Sequence, residues 1–174
     1  SKLIGDDSQY KDAFANGTFT HSFLNVNDYH RYHFPVSGIV KEARIIQGIN
    51  PPGGQLWWDD ENNRYAFNPS AKTGWQSIET RGCVILETDE YGLVALMPIG
   101  MGAVSSVNFE KNVIPGASVK KGDMLGHFAF GGSDFIMIFQ DGVTFSLEAP
   151  MQEDGQLYQH ILMGEKLGVL SKHK

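Results

Sequence analysis

The stretch VIPGASVKKGDMLGHFAFGG, residues 113–132, contains two glycine turns, the second followed directly by an apolar run. Pro115-Gly116 and Gly122-Asp123 are pairs typical of tight turns, because proline presets φ and glycine accepts positive φ. Met124–Phe130 is rich in apolar and aromatic residues and predicts a strand. A chain that turns twice within so short a stretch is typical of an all-β protein.

This order of turns and strand resembles the hammerhead segments of lipoyl- and biotinyl-carrier folds, which are flattened β-sandwiches. In those carriers the modified lysine lies at a hairpin tip between specific neighbours. Lys120 and Lys121 both precede the Gly-Asp turn instead. The resemblance therefore implies a β-sandwich and gives little support to a carrier function.

The rest of the chain supports one mainly β domain over residues 1–174. Short runs rich in β-branched or aromatic residues are bounded by Gly, Pro, Asn or Asp, which predicts strands. The predicted strands are Thr18–Leu24, Gly38–Gln47, Gly82–Thr88, Leu93–Ile99, Ala103–Phe109, Met124–Phe130, Phe135–Phe139 and Thr144–Leu147. TDEYG, at 88–92, predicts a hairpin turn, and the tail from residue 164 predicts a short strand. Residues 6–15 predict a short N-terminal helix, and residues 48–77 an irregular excursion, either mobile or a flap that faces substrate.

Composition limits the function classes. The net charge is −6 and the pI about 5.4, with no dense basic stripe, so nucleic acid is not expected as a partner. No apolar run approaches the length that crosses a bilayer. Cys83 is the single cysteine, which excludes a disulfide within the chain, and its strand-like surroundings predict a buried packing residue.

A second unusual stretch is NDYHRYHFPVSG, residues 27–38. His30 and His33 lie three apart, and Pro35 argues against a continuing helix, so a turn or strand end is expected. The two imidazoles have three interpretations: a metal site with His21 or His127 as third ligand, satisfied structural histidines, or general acid–base chemistry near neutral pH. No ligand motif accompanies them, so no metal is expected.

Gly131-Gly132 stands directly before Ser133 and an apolar run. A nucleophile elbow does not fit, because Phe135 replaces the last glycine and no helix is predicted to follow. A phosphate-binding loop does not fit either, because no lysine follows. A β-bulge remains one interpretation. The other is chemistry on the backbone, in which the Ser133 hydroxyl attacks the preceding carbonyl, since glycine permits the approach at low steric cost.

Three motifs together resemble one family, the phosphatidylserine decarboxylases. DYHRYHFP with GIVKEARIIQG is similar to the family's histidine motif, MPIGMGAVSSV to its second Gly-rich strand pair, and VKKGDMLGHFAFGGS to its cleavage segment. They follow the family's order and cover most of residues 17–140. The sequence PIGMGAVSS resembles that of the soluble branch of the family, whose members decarboxylate tryptophan or similar amino acids.

The resemblance implies a self-cleaving enzyme with a pyruvoyl group made from Ser133 and no external cofactor. Residues 1–132 would form the β chain and residues 133–174 the α chain, and the two would stay associated. Gly132 would supply the attacked carbonyl. His33 matches the histidine that acts as base for Ser133, and His30 matches the one associated with decarboxylation. The resemblance places the triad's aspartate upstream of the histidine motif, and no residue here is assigned that role. Asp134, where Ser or Thr is common, is expected to disfavour the oxyanion of the attack.

The substrate stays open at this point. It is either phosphatidylserine, as in phospholipid biosynthesis, or a soluble aromatic amino acid such as tryptophan, and Tyr32 and Phe34 are tentative substrate contacts. Trp57-Trp58 is a candidate membrane-docking lip, with packing in the core or flap as the alternative. The protein is therefore expected to be cytoplasmic or peripheral to a membrane, and these features are compatible with a homo-oligomer. The competing function is an unprocessed, non-catalytic β-sandwich binding module.

Overall fold

The computed structural model describes residues 2–49, 54–69, 75–101, 106–129, 133–148 and 160–172. Almost all regular structure in these ranges is β, which confirms the predicted fold class. The strands are β1 Thr18–Leu24, β2 Arg31–His33, β3 Gly38–Ile46, β4 Gly54–Asp59, β5 Arg64–Pro69, β6 Arg81–Thr88, β7 Gly92–Gly100, β8 Val107–Phe109, β9 Ser118–Val119, β10 Met124–Phe128, β11 Ser133–Phe139, β12 Val143–Leu147 and β13 Gly168–Lys172. A single 3₁₀ turn, Trp75–Ser77, is the one helical element among the described residues.

The main layer is a six-stranded antiparallel sheet with the order β1-β11-β7-β6-β3-β9. β11 lies inside this sheet, with β1 on one side and β7 on the other. The predicted hairpin turn joins β6 to β7, where the Thr88 hydroxyl donates to the Gly92 carbonyl at 2.9 Å. Gly92 has φ +67°, which explains glycine at that position.

Two hydrophobic clusters cover the two faces of the main sheet. On one face, Val84, Leu96 and Phe139 pack with Tyr32 and Phe128 of a three-stranded sheet ordered β2-β10-β8. This packing of sheet on sheet is the predicted sandwich. On the other face, Ile85, Met97, Ile99, Ile136 and Ile138 are covered by Ile4 and Phe14 of the N-terminal segment. Cys83 is fully buried in this second cluster, as predicted, and burial raises the pKa of its thiol to about 12.

The turns of residues 113–132 form as predicted and tie the two layers together. The Ala117 amide donates to the Ile114 carbonyl at 3.0 Å, and the Asp123 amide donates to the Lys120 carbonyl at 3.0 Å. Ala117 also accepts from the Val40 amide of β3 at 2.9 Å, which fixes the first turn to the main sheet. β10 follows the second turn at Met124.

The predicted N-terminal helix is wrong. Residues 2–16 form successive turns, in which amides donate to carbonyls three residues back, as from Lys11 to Ser8 at 3.4 Å and from Ala13 to Tyr10 at 3.0 Å. The Ser8 hydroxyl accepts from the Tyr10 amide at 3.2 Å, so a side chain competes for a backbone donor that a helix would need. Asn16, at φ +59°, then ends the segment.

The interpretation of residues 48–77 as irregular is also wrong where the structure describes them. β4 and β5 pair antiparallel in a regular hairpin, with Trp57 opposite Ala66 and Trp58 opposite Tyr65. The two tryptophans, on successive residues, point to opposite faces of the hairpin. Separately, none of the helical structure in the described ranges is long and apolar enough to span a membrane.

Candidate active site

Ser133 begins β11 and is held between two neighbouring strands. Its backbone faces Leu24 of β1 and Gly100 of β7. The side chain is fully buried, and within the described residues its hydroxyl has no hydrogen-bond partner. A buried hydroxyl without a hydrogen-bond partner lowers the free energy of unfolding by about 1–3 kcal/mol. The rest of the fold therefore holds Ser133 in a position that is unfavourable for its own side chain. Gly132, the predicted donor of the attacked carbonyl, lies outside the described residues.

An aromatic row connects the Ser133 face of β11 to His30. Ser133 and Phe135 share a face of the sheet because side chains alternate along a strand. The Phe135 ring lies 5.8 Å from the Tyr32 ring, Tyr32 lies 5.0 Å from Phe128, and Phe128 meets the His30 ring edge-on at 6.3 Å. The histidine motif is therefore packed against the layer that carries the serine.

The backbone fixes the tautomer of the neutral His30 ring. Its Nδ1 donates to the Asp28 carbonyl at 2.6 Å, so the neutral ring carries its lone pair on Nε2. The Asp28 carboxylate accepts from the Asn25 amide at 2.8 Å and lies 3.5 Å from His160. The turn that presents His30 is therefore held by a side chain of the motif itself.

His33 lies on the strand β2 with both ring nitrogens engaged. Nδ1 donates to the Gly122 carbonyl at 2.9 Å, and Nε2 accepts from the Tyr29 hydroxyl at 2.9 Å. Gly122 belongs to the Gly-Asp turn, so this turn positions the histidine motif. Since the Ser133 hydroxyl has no hydrogen-bond partner in the described part of the chain, neither His33 nor His30 is bonded to it here.

Tyr32 and Phe34, the tentative substrate contacts, are buried in the first hydrophobic cluster. The Tyr32 hydroxyl donates to the Asn108 carbonyl at 2.5 Å and lies 3.2 Å from the His127 carbonyl. Burial raises the pKa of Tyr32 above its ordinary value, so it stays neutral at physiological pH. Both side chains pack the two layers together next to the candidate site.

On the opposite face of the main sheet, His21 and Asp134 form a close pair that the sequence analysis did not anticipate. His21 Nε2 lies 2.5 Å from Asp134 Oδ2. Asp134 is fully buried; burial raises the pKa of its carboxyl, and the hydrogen bond to His21 opposes the rise. Because Asp134 and Ser133 point to opposite faces, the carboxylate is directed away from the side on which the Ser133 hydroxyl lies.

Glu79 is a further buried acid that sequence reasoning missed. It is fully buried, and neither carboxyl oxygen has a hydrogen-bond partner in the described part of the chain. Burial, with a smaller effect from the negative charge of Asp134, raises its pKa to about 8. The one signal in the sequence was an acidic residue just before the apolar run of β6.

The metal hypothesis for the histidines has no support in the geometry. Across the described ranges, no three His, Cys, Asp or Glu side chains are arranged to hold a metal ion. His21 and His127, the suggested third ligands, are directed elsewhere: His21 toward Asp134, and His127 toward Glu110 at 3.7 Å.

The aromatic hairpin β4–β5 lies beside the histidine motif. The Asn27 side chain donates to the Tyr65 carbonyl at 2.8 Å, which fastens the hairpin to the turn before His30. Trp57, Trp58 and Tyr65 are half exposed, and the Trp58 ring meets Tyr65 edge-on at 5.0 Å. Neither tryptophan is therefore packed in the core, whereas Trp58 packs against Tyr65 within the hairpin. The alternative interpretation of the pair as a membrane-docking lip stays a prediction.

Known proteins resemble this chain over most of its length. The profile of the phosphatidylserine decarboxylase family matches residues 1–169. The chain is 33% identical to phosphatidylserine decarboxylase proenzyme 2 of rice (Oryza sativa subsp. japonica), over 99% of this chain and 26% of that protein. It is 31% identical to decarboxylase iboD of the fungus Amanita muscaria (98% and 49%) and 30% identical to a phosphatidylserine decarboxylase proenzyme of Fusobacterium nucleatum (94% and 50%). The chain thus spans about half the length of these relatives, or less.

Proposed function

The chain belongs to the phosphatidylserine decarboxylase family, and from that membership we propose that it is a self-processing decarboxylase whose pyruvoyl group derives from Ser133. The observation that carries the proposal is the buried hydroxyl of Ser133, which has no partner among the described residues and begins a strand inside the main sheet. Relatives named proenzymes support a processing step.

The cleavage step is an internal acyl shift followed by elimination. The Ser133 oxygen bonds to the Gly132 carbonyl carbon, its proton passes to a base, and the Gly132–Ser133 peptide bond breaks as the Ser133 nitrogen gains a proton. A base then removes the Ser133 α-proton, and the bond between Cβ and oxygen breaks. This releases the Gly132 carboxylate and leaves dehydroalanine, which takes up water and loses ammonia. No oxidant or reductant is needed.

Two histidines supply the proton transfers in this proposal. His33 accepts the Ser133 proton, which requires that its Nε2 leave the Tyr29 hydroxyl. His30 takes up a proton on Nε2, where its neutral ring carries the lone pair, and delivers that proton to the product carbon. The pyruvoyl carbonyl supplies an electron sink for the pair that loss of CO₂ leaves on the substrate. The buried, apolar surroundings of Ser133 fit such a group, because they exclude the water that competes for that pair.

The proposed substrate is an amino-acid head group with a free amine and carboxylate. A phospholipid is supported by the printed names of several relatives and by the exposed aromatic hairpin beside the histidine motif. A free aromatic amino acid is supported by the motif resemblance to the soluble branch. Both share the same reacting atoms, and the assay below separates them.

A second function is favoured by one observation. His33 has both ring nitrogens engaged with Tyr29 and Gly122, and the Ser133 hydroxyl has no base bonded to it within the described residues. A chain locked in this arrangement would be an unprocessed binding module with the family fold.

The test is intact mass spectrometry of freshly purified wild-type protein, followed over days. We expect fragments 1–132 and 133–174, with the second blocked at its N-terminus and trapped by borohydride in the presence of substrate. Ser133→Ala is expected to stay intact, and the exposed Ser171→Ala to behave as wild type. CO₂ release is then measured from phosphatidylserine vesicles and from free tryptophan. A single species that retains full-length mass would overturn the proposal in favour of the binding module.

A further inference from the structure

Three ionisable side chains lie together on the face of the main sheet opposite Ser133: His21 of β1, Asp134 of β11 and Glu79 just before β6. We call them the acid cluster. Strand register places them there: His21 pairs with Ile136, and Asp134 pairs with Ile99, which in turn pairs with Arg81. Glu79 lies two residues before Arg81, and the pairing continues to this end of the strand, because the Gly100 amide donates to the Thr80 carbonyl at 2.9 Å. All these side chains face the second hydrophobic cluster.

The cluster has two buried carboxyls and one imidazole. Asp134 Oδ2 contacts His21 at 2.5 Å, whereas Asp134 Oδ1 and both oxygens of Glu79 have no hydrogen-bond partner within the described ranges. Two buried carboxylates this poorly compensated do not ionise together readily, because each raises the energy of the other's charged form.

The nearby cations serve other groups. Arg81, on the strand that Glu79 leads into, donates to the carbonyls of Leu3 (2.7 Å), Lys2 (2.8 Å) and Glu79 itself (2.8 Å), and to no carboxylate among the described residues. Arg44 of β3 pairs with Asp7 and Glu42. Two further titratable side chains pack in the second hydrophobic cluster, Tyr10 and the neutral Cys83 thiol. Among the described residues, His21 is the basic side chain in contact with Asp134.

We propose that the acid cluster positions the start of β11 for chain cleavage, with one negative charge held on Asp134 against His21 and Glu79 kept neutral. This inference rests on the proposed function. Asp134 follows Ser133 directly, so the His21 contact fixes the residue next to the reactive one. A second charge on Glu79 repels Asp134 and displaces this end of β11. The cluster forms and breaks no bond in the reaction.

The consequence is a particular pH dependence of cleavage. The pKa of Glu79, about 8, places the second charge above neutral pH. At pH 9.5 about one Glu79 in thirty remains neutral, so we expect wild-type cleavage to be about thirtyfold slower than at its maximum. Loss of either carboxyl leaves a single charge in the cluster and removes this decline.

The experiment follows the appearance of the two fragments between pH 6.5 and 9.5 for wild type, Glu79→Gln and Asp134→Asn. Each protein is compared with itself, as the ratio of its rates at pH 9.5 and 7.5. Glu87→Gln is the matched control, since Glu87 is exposed and pairs with Lys41 on another part of the sheet. We expect the decline in wild type and Glu87→Gln, and its loss in Glu79→Gln and Asp134→Asn.

The outcomes separate this inference from the proposed function. If wild type cleaves and the cluster variants decline at high pH as it does, the positioning role is overturned while self-processing stands. If wild type never cleaves at any pH, self-processing fails and the positioning role fails with it. Should one cluster variant not fold, the other decides, because each removes one of the two carboxyls.

Discussion

The hydroxyl of Tyr29 lies 2.9 Å from Nε2 of His33, and the two rings stack with their centroids 5.9 Å apart. Nδ1 of the same imidazole donates to the Gly122 carbonyl, so the remaining lone pair is the one that Tyr29 occupies. A general base needs that lone pair for the serine proton. Tyr29, four residues before His33, therefore controls when the proposed base becomes available.

We expect Tyr29→Phe to accelerate chain cleavage. The substitution keeps the stacked ring and removes a hydrogen bond worth about 1 kcal/mol, which corresponds to roughly a fivefold increase in rate. Fragment appearance on a denaturing gel measures this. Tyr65→Phe is the control, because the Tyr65 contact with Asn27 uses its backbone carbonyl. An unchanged rate for Tyr29→Phe would argue against His33 as the limiting base.

Loss of the His21 side chain should destabilise the fold. His21→Ala leaves Asp134 buried without its hydrogen-bond partner, which we expect to cost about 2–3 kcal/mol of unfolding free energy. Urea unfolding in a Ser133→Ala background measures the intact chain. His160→Ala removes the exposed contact with Asp28 at 3.5 Å and should cost less than about 1 kcal/mol. Equal losses for both variants would contradict a special role of the buried pair.

Glu79 should make the protein less stable as pH rises from 5 to 8. Its pKa is 4.5 for the ordinary group and about 8 in the fold, so in this window the unfolded chain has lost the proton that the folded chain retains. Stability then falls by about 1.4 kcal/mol per pH unit from this group. Glu79→Gln removes that slope, which urea unfolding of the Ser133→Ala protein at pH 5, 6.5 and 8 will detect. If stability depends on pH in the same way with Glu79 and with Glu79→Gln, the raised pKa of the Glu79 carboxyl is ruled out.

Gly126 allows three strands to approach closely. A Cβ at this position of β10 would collide with the Asn108 carbonyl oxygen of β8 and with the Tyr32 ring of β2. Gly126→Ala should therefore cost about 2–3 kcal/mol, measured by thermal unfolding of the Ser133→Ala protein. Gly116→Ala is the comparison, since nothing lies within 4 Å of its Cβ and only its φ of +91° is unfavourable. A larger loss of stability for Gly116→Ala than for Gly126→Ala would show that backbone conformation matters more than steric space at these glycines.

The strands were predictable where the local pattern of apolar and turn residues determines their ends. The predicted Thr18–Leu24 matches β1 at both ends, and Thr144–Leu147 falls one residue short, because turn residues bound the apolar runs. The hairpin β4–β5 was missed because DDENN and a proline pair obscured its strands. The predicted N-terminal helix was wrong because turns and the Ser8 hydroxyl, which accepts from the Tyr10 amide, satisfy that backbone instead.

The site divides in the same way. Ser133, His30 and His33 carry local motifs, so the sequence alone was sufficient to single them out, and their catalytic roles remain predictions. The contact between His21 and Asp134 spans 113 residues and follows from the register of β1 against β11, which no local pattern contains. Asp134 therefore stood out only as an unusual neighbour of the serine.

The position of β11 between β1 and β7 determines how a cleaved chain would dissociate and refold. Both flanking strands belong to residues 1–132, so the first strand of the shorter chain would be an inner strand of a sheet formed mainly by the longer chain. It could leave only by opening that sheet, which makes escape slow. Once separated, the two pieces would have to meet again as independent molecules, so recovery after denaturation would depend on protein concentration. Such a protein would fold once, before its chain is cleaved, and would afterwards stay folded because the activation barrier to unfolding is high.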